Sequence, residues 1–289
     1  MRWMVTGAGG LLGHDVVRAV HRGDPRADVV ALTRRDLDVL DADACHRVLA
    51  GADVVVNCAA WTAVDRAETE EAAATAVNAG GAAHVAAAAA ATGARLVHVS
   101  TDYVFDGRSA RPYRVQDPTG PVSAYGRGKL AGERAVAASG ADALVVRTAW
   151  CYGAAGACFP RTVLRLARER GALSVVDDQV GQPTWTADVA RVIVDLVLAA
   201  APAGTYHATA AGRGTWWDFA REVVAAEGLH DVPVRAVTTD AFPTAARRPG
   251  FSALDTTDLA RVGVEPVGDW RDRWAVAARE VLAGARELV

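Results

Sequence analysis

Tyr125 and Lys129 stand four residues apart in the segment Ser123-Ala124-Tyr125-Gly126-Arg127-Gly128-Lys129, a spacing that sets both side chains on one face of a helix. An ammonium close to a phenol favours the phenolate and draws the tyrosine pKa down from about 10 toward working pH. Such a tyrosine can donate a proton to a carbonyl oxygen as hydride arrives at carbon. A hydroxyl from the preceding strand, Thr101 or Ser100, would hydrogen-bond the same oxygen. Lysine is scarce here, and the basic residues are nearly all arginine. Arginine cannot release a proton, so a retained lysine points to a specific task. The plainer alternative is a half-buried tyrosine beside a solvated lysine.

A hydride must come from a cofactor, and the N-terminal stretch offers a place for one. The apolar run Trp3-Met4-Val5 leads into Gly7-Ala8-Gly9-Gly10-Leu11-Leu12-Gly13, and helical spacing follows through Val16, Val17 and Val20. Strand, glycine turn and helix let backbone N–H groups approach a pyrophosphate: Gly7 makes the turn, Gly10 lets the phosphates come close, and Gly13 lets helix and strand pack. The spacing is G-x-x-G-x-x-G rather than G-x-G-x-x-G, so the turn needs support from the rest of the chain. The next apolar run, Asp28 to Leu32, ends at Thr33-Arg34-Arg35. Arginines after the strand, with no acid at its tip, suit a ribose carrying a 2′-phosphate, which favours NADPH over NADH.

Further strands are expected at 53–56, 95–100, 143–147, 173–176 and 204–208. Helices are expected at 41–49 with Asp41 as N-cap, over 64–92, from Ser123 to Ser139, at 162–170, from a Thr186 cap to Ala199, and at 216–227 behind Thr215. Asn78 and Gly80-Gly81 interrupt the long alanine-rich stretch and predict a bend there or a functional side chain. Alternating strands and helices, with strands apolar enough to be buried on both faces, define the fold class: α/β, a Rossmann-type doubly wound parallel sheet with a smaller C-terminal α/β substrate domain. The division expected is 1–153 with 186–208 for the dinucleotide-binding domain, and 154–185 with 209–289 for the substrate-binding domain. Ligands of such sheets bind beyond the carboxyl ends of the strands, so Thr6, Ala59 and Ser100 to Tyr103 converge on one edge. Trp216-Trp217 reads as packing rather than a binding platform. His98 and His207 lie within strands without a second ligand at metal spacing and read as structural. Arg248 is a candidate diphosphate contact.

The chain has 289 residues and a formal net charge of -3, which argues against nucleic acid as a main partner and gives no polybasic membrane signal. Cys45, Cys58, Cys151 and Cys158 lack C-x-x-C spacing, so neither a zinc site nor a disulfide framework is indicated. The first residues form a strand rather than a leader, and no apolar run reaches membrane-spanning length. A cytoplasmic protein is expected.

Together these motifs resemble the extended short-chain dehydrogenase/reductases, and among them the dTDP-4-dehydrorhamnose reductases and related dTDP-4-keto-6-deoxyhexose reductases. The resemblance covers nearly the whole chain. It rests on the glycine turn, Val56-Asn57-Cys58-Ala59-Ala60-Trp61-Thr62-Ala63-Val64-Asp65, Ser100-Thr101-Asp102-Tyr103-Val104-Phe105-Asp106-Gly107, Tyr125-Gly126-x-x-Lys129, Arg147-Thr148-x-Trp150-x-Tyr152-Gly153 and Arg248-Pro249. It implies a catalytic set of Thr101, Tyr125 and Lys129. Cofactor phosphates would meet Gly10, Leu11 and Leu12, the adenine Asp38 and Val39, and the middle of the cofactor Ala59, Ala60 and Trp61. The sugar nucleotide would meet Thr101, Asp102 and Trp150, with Tyr103 explained equally by contact or by packing.

The implied reaction is NADPH-dependent reduction of the C4 ketone of a dTDP-4-keto-6-deoxyhexose, with dTDP-4-dehydrorhamnose as the first choice of substrate. A reductase of another sugar or C4 stereochemistry, or a non-catalytic NADP-binding subunit of the same fold, are the alternatives, and a homodimer is left open. Three places depart from the family pattern. Cys158-Phe159 stands where an Asn-Phe that binds the nucleotide-sugar is usual, and Gly250-Phe251-Ser252 follows Arg248-Pro249. Asp15 occupies a place where some relatives bind Mg²⁺ at a dimer interface, but no matching glutamate can be placed at Ala187 or in the C-terminal tail. No metal is expected.

Overall fold

Alternation along the strands decides how the chain layers. In β1 (Arg2–Thr6) Trp3 and Val5 join one buried cluster and Met4 another. After α1 (Leu11–Gly23), β2 (Asp28–Leu32) and α2 (Ala42–Val48), the pattern recurs in β3 (Val54–Asn57), where Val54 and Val56 face one way and Val55 the other. Strands buried on both faces need helices on both faces. In the computed structural model, which describes residues 1–283, they have them. Asp41 caps α2 as expected, accepting a hydrogen bond from the Ala44 amide at 2.9 Å.

The stretch 64–92 is four pieces rather than one helix: α3 (Val64–Thr69), α4 (Glu71–Thr75), a π-helical segment at Ala76–Gly81, and α5 (Ala82–Thr92). The extra residue per turn in the π segment aims Asn78 inward, where it is fully buried. Beyond it lie β4 (Arg95–Thr101), α6 (Ala124–Ala138) and β5 (Ala143–Thr148). The π segment and α6 pack closely because α6 presents glycines to it. A Cβ at Gly128 would touch the Asn78 side chain, and one at Gly132 would collide with the Asn78 carbonyl.

The remaining elements are β6 (Cys151–Tyr152), α7 (Phe159–Arg170), β7 (Leu173–Val176), β8 (Val180–Gly181), β9 (Thr184–Trp185), α8 (Thr186–Leu198), β10 (Gly204–His207), β11 (Gly214–Thr215), α9 (Trp216–Ala226), β12 (Val234–Val237), α10 (Thr257–Arg261) and α11 (Trp270–Ala283). Six strands form one parallel sheet in the order β10-β5-β4-β3-β1-β2, with α1 and α8 against one face and α2, α5 and α6 against the other. This is the doubly wound α/β fold. Strand order reverses between β1 and β3, the position at which such sheets open a ligand crevice. In the smaller C-terminal part, β7 and β12 pair in parallel and pack with α7 and α9, and α11 packs against those two helices.

One expectation fails here. Thr186 is not the cap of α8 but its first residue, because its hydroxyl is engaged elsewhere: it donates to the Asp15 carboxylate at 2.6 Å and lies 3.1 Å from the Tyr152 carbonyl. The last six residues of the expected substrate domain, 284–289, lie outside the described residues, as does the tail searched for a Mg²⁺-binding glutamate.

Since nothing at Asn78 can retreat without moving the π segment, Gly132→Ala is expected to cost about 1–3 kcal/mol. Urea denaturation checks it, with Gly93→Ala, where a Cβ meets open space at a positive φ, as a strain-only control.

Candidate active site

A cleft of about 760 Å³ opens beyond the carboxyl ends of β1, β3 and β4. Its floor is the glycine turn. Gly7 has φ +66°, and a Cβ there would lie 2.7 Å from the Ala59 amide. A glycine at 7 is therefore required both by its backbone and by the close approach of the loop after β3. Gly10 is the N-cap of α1 and brings no side chain to the cap, so the first amides of α1 are left for an anion. Of the expected cofactor residues, Gly7, Gly10, Leu11, Leu12, Gly13, Arg34, Asp38, Val39, Ala59, Ala60 and Trp61 all line this cleft. Asn78 holds the loop in place: its Oδ1 accepts from the Trp61 amide at 2.9 Å and its Nδ2 donates to the Trp61 carbonyl at 3.2 Å. The interruption seen in the sequence at Asn78 is thus a clamp on the cofactor loop.

Arg34 lines the mouth of the cleft with its side chain 84 % exposed and 3.7 Å from Asp38, while Arg35 is not among the lining residues. Asp36, next in sequence after Arg35, folds back to the tip of β2. The Asp36 carboxylate accepts from the Thr33 amide at 2.9 Å and hydroxyl at 2.6 Å, closing the turn, and these bonds pull its pKa down.

Thr101, Asp102, Tyr125, Lys129 and Trp150 line the same cleft. Thr101 ends β4, donates to Asp102 Oδ1 at 3.0 Å and accepts from the Tyr103 amide at 3.2 Å. Ser100 is engaged behind it, donating to Glu133 at 2.5 Å in a buried group where Arg147 grips the same carboxylate at 2.9 and 2.7 Å. Both hydroxyls border the cleft; that of Ser100 is committed to Glu133, while that of Thr101 lowers the pKa of the Tyr125 phenol. Ser123 caps α6, its hydroxyl accepting from the Gly126 amide at 3.2 Å, and Glu68 accepts from the Ala124 amide at 2.8 Å. These bonds fix the first turn of α6, where Tyr125 sits.

The electrostatics differ from expectation. Burial drives the Tyr125 phenol well above its ordinary range, with the Thr101 hydroxyl pulling the other way; Lys129 does not depress it. Lys129 is buried, donates to the Val99 carbonyl at 2.7 Å, and is itself pushed down to about 8 by desolvation. Burial of the phenol is the larger effect, so in this state Tyr125 keeps its proton. The Asp102 carboxyl, buried with Oδ2 unpartnered, is pushed up to about 6.

Tyr103 and Arg248 are not in the cleft lining. Tyr103 stands edge-on to Tyr125, ring centres 5.7 Å apart, and Arg248 donates to Asp65 at 2.7 Å. Cys158 is buried as the N-cap of α7, directed at the Gly153 carbonyl, whereas Ala155, Gly156 and Ala157 just before it line the cleft. Trp150 holds a left-handed backbone, φ 45°, and stacks on Trp216 at 3.7 Å. Trp216 therefore packs, as expected, but behind a wall of the cleft. Among the described residues no cluster of His, Cys, Asp or Glu could hold a metal ion; Asp15 is bonded to Thr186. Thr148, the last residue of β5, and Cys151, the first of β6, also line the cleft, and nothing in their spacing marks them in the sequence.

Comparison with known proteins agrees with this geometry. Residues 1–282 match the family described as the RmlD substrate binding domain. A protein of Streptomyces griseus named dTDP-4-dehydrorhamnose reductase is 47% identical over 277 residues, covering 93% of this chain and 90% of that protein. A dTDP-4-keto-6-deoxy-D-glucose reductase of Streptomyces niveus is 46% identical, covering 93% of each. The crystal structure of dTDP-4-dehydrorhamnose reductase from Bacillus anthracis in complex with NADP superposes with a TM-score of 0.91 at 34% identity, covering 96% of this chain and 98% of that one.

A carboxyl whose pKa is higher folded than unfolded binds its proton more tightly in the folded state, so stability is lost as pH rises from about 4 through about 6. Asp102→Asn is therefore expected to be more stable than the parent at pH 8 by about 1–3 kcal/mol, with the gap closing near pH 4. Denaturation at the two pH values measures it.

Proposed function

The chain belongs to the RmlD substrate-binding domain family, and we propose that it is an NADPH-dependent reductase of the C4 ketone of a dTDP-4-keto-6-deoxyhexose, with dTDP-4-dehydrorhamnose as substrate and dTDP-rhamnose as product. The observation that carries this reading is that Thr101, Tyr125 and Lys129 line the same cleft as the Gly7–Gly13 turn. The residues present fit the cofactor: the N-terminus of α1 has no side chain over it, and glycines 7 and 13 leave no room for a Cβ beside the turn.

Gly10, Leu11 and Leu12 would hold its pyrophosphate, Asp38 and Val39 its adenine, Arg34 and Arg35 its 2′-phosphate, Ala59, Ala60 and Trp61 its middle, and Lys129 its second ribose. When bound, the reduced nicotinamide supplies the hydride to C4. Tyr125, kept protonated by burial, gives its phenolic proton to the C4 oxygen as charge develops there. Thr101, anchored between Asp102 and the Tyr103 amide, orients that oxygen. Asp102 and Trp150 would meet the sugar nucleotide, with Tyr103 supporting Tyr125 and Arg248 near the diphosphate. In this reading residues 1–153 and 186–208 serve the cofactor, and 154–185 and 209–289 the substrate. Every side chain it uses comes from one chain, so it requires no second copy. We place the reaction in the cytoplasm; among the described residues no helix is long and apolar enough to cross a membrane.

A second reading keeps the chemistry and changes the sugar. The niveus relative is named for dTDP-4-keto-6-deoxy-D-glucose, and Cys158 replaces the usual asparagine beside Ala155–Ala157 of the cleft. NMR of the product formed from each ketosugar separates the two readings. NADPH oxidation is expected only with a dTDP-4-ketosugar present, and Tyr125→Phe should lower kcat by about 10²- to 10⁴-fold with NADPH still bound. Absence of turnover with every ketosugar, with NADPH bound, would replace the reductase by a non-catalytic nucleotide-binding subunit. Arg34→Ala with Arg35→Ala should reduce the preference for NADPH over NADH by about 10-fold or more, read from kcat/KM with each cofactor.

A further inference from the structure

Lys129 is the chain's only lysine, and it is 2 % exposed. Its Nζ lies 3.5 Å from Nε2 of His98, a histidine of β4 that is itself 1 % exposed. The state of that ring can be read from the groups behind it. The Ala59 amide can only donate, and it points at Asn57 Oδ1 at 3.3 Å; the Thr6 hydroxyl donates to the same oxygen at 2.7 Å. This fixes the orientation of the Asn57 amide, so its Nδ2 is the donor facing His98 Nδ1 at 3.2 Å. Nδ1 therefore accepts. Burial and the charge of Lys129 keep the ring neutral, so its one proton is on Nε2, aimed at Lys129.

An N–H aimed at an ammonium is a donor against a donor. Aimed at a neutral amine, it fills the nitrogen lone pair. We propose that His98 is a positioning residue for Lys129: held as the Nε2–H tautomer by the row Thr6, Asn57 and Ala59, it stabilises the amine left when Nζ gives up a proton. The amine still donates to the Val99 carbonyl while accepting from His98. The other titratable groups facing Lys129 are Glu133 from its own helix, which favours the ammonium and is neutralised by Arg147, and Cys58 from the loop after β3, a thiol that burial pushes up to about 12. Desolvation lowers Lys129, and the His98 N–H acts in the same direction. His98 is thus more than the structural residue its place in a strand suggests. Because Ala59 lines the cofactor cleft and also orients Asn57, the loop after β3 and the acidity of Lys129 are joined through one amide.

This inference rests on the reading of Lys129 as part of the catalytic set, but its test needs no turnover. With ¹⁵N-lysine the protein carries one Nζ signal, which can be titrated without added nucleotide. His98→Gln can turn its carbonyl toward Nζ, and its midpoint is expected about one pH unit above the parent, a tenfold change in the ammonium-to-amine ratio. An unchanged or lowered midpoint overturns the proposal. Long-range ¹H–¹⁵N correlation of the unaltered protein gives the tautomer directly, so a variant that does not fold leaves the question decidable. A His98 protonated on Nε2 supports the proposal; one protonated on Nδ1 overturns it. If Lys129 titrates as stated and no ketosugar is reduced, the proposed function falls while the role of His98 stands.

Discussion

Much of the site hangs on one buried ion pair. Tyr125, Lys129 and Glu133 recur every fourth residue on the face of α6, and Glu133 is gripped by both arms of Arg147 from β5 and by the Ser100 hydroxyl of β4. Desolvating such a pair roughly cancels its attraction, so its value is not net stability. Its value is that a helix displaced by one turn would strand a carboxylate and a guanidinium in the core, at a cost of about 3–5 kcal/mol. The register of α6 against the sheet is fixed, and with it the height of Tyr125 above Thr101. Arg147 also lies over the ring of Phe105, which stacks on Tyr113, so the loop after β4 is tied to the same anchor.

The fold was legible because period-2 burial in the strands and capping residues such as Asp41 and Ser123 are local signals. The candidate set of Thr101, Tyr125 and Lys129, which share one cleft, was legible for a similar reason: Tyr125 and Lys129 share a helix, and Thr101 ends a strand. What stayed hidden depends on contacts distant in sequence. The role of Thr186 is decided by Asp15, 171 residues away, and Asn78 becomes a clamp because a π segment turns it toward Trp61. No spacing rule reports such partners.

The acid–base reading shows the same division. Two residues at helical spacing suggested an ammonium acting on a phenol, but burial is the largest influence on each, raising Tyr125 and lowering Lys129. Charge on a desolvated side chain is set by everything around it, and the sequence supplies only the neighbours on its own element. The outcome still suits a proton donor, since a phenol that holds its proton until an oxyanion forms beside it is ready to act.

With 30 arginines to one buried lysine, the exterior has an unusual acid–base character. Guanidinium groups keep their charge far into alkali, where surface amines would discharge. Apart from its N-terminal amine, this molecule presents to solvent no positive charge that fades between neutrality and strong alkali. As a colloid it holds its cationic patches fixed over that span, while the one side-chain amine able to change state does so inside the cleft.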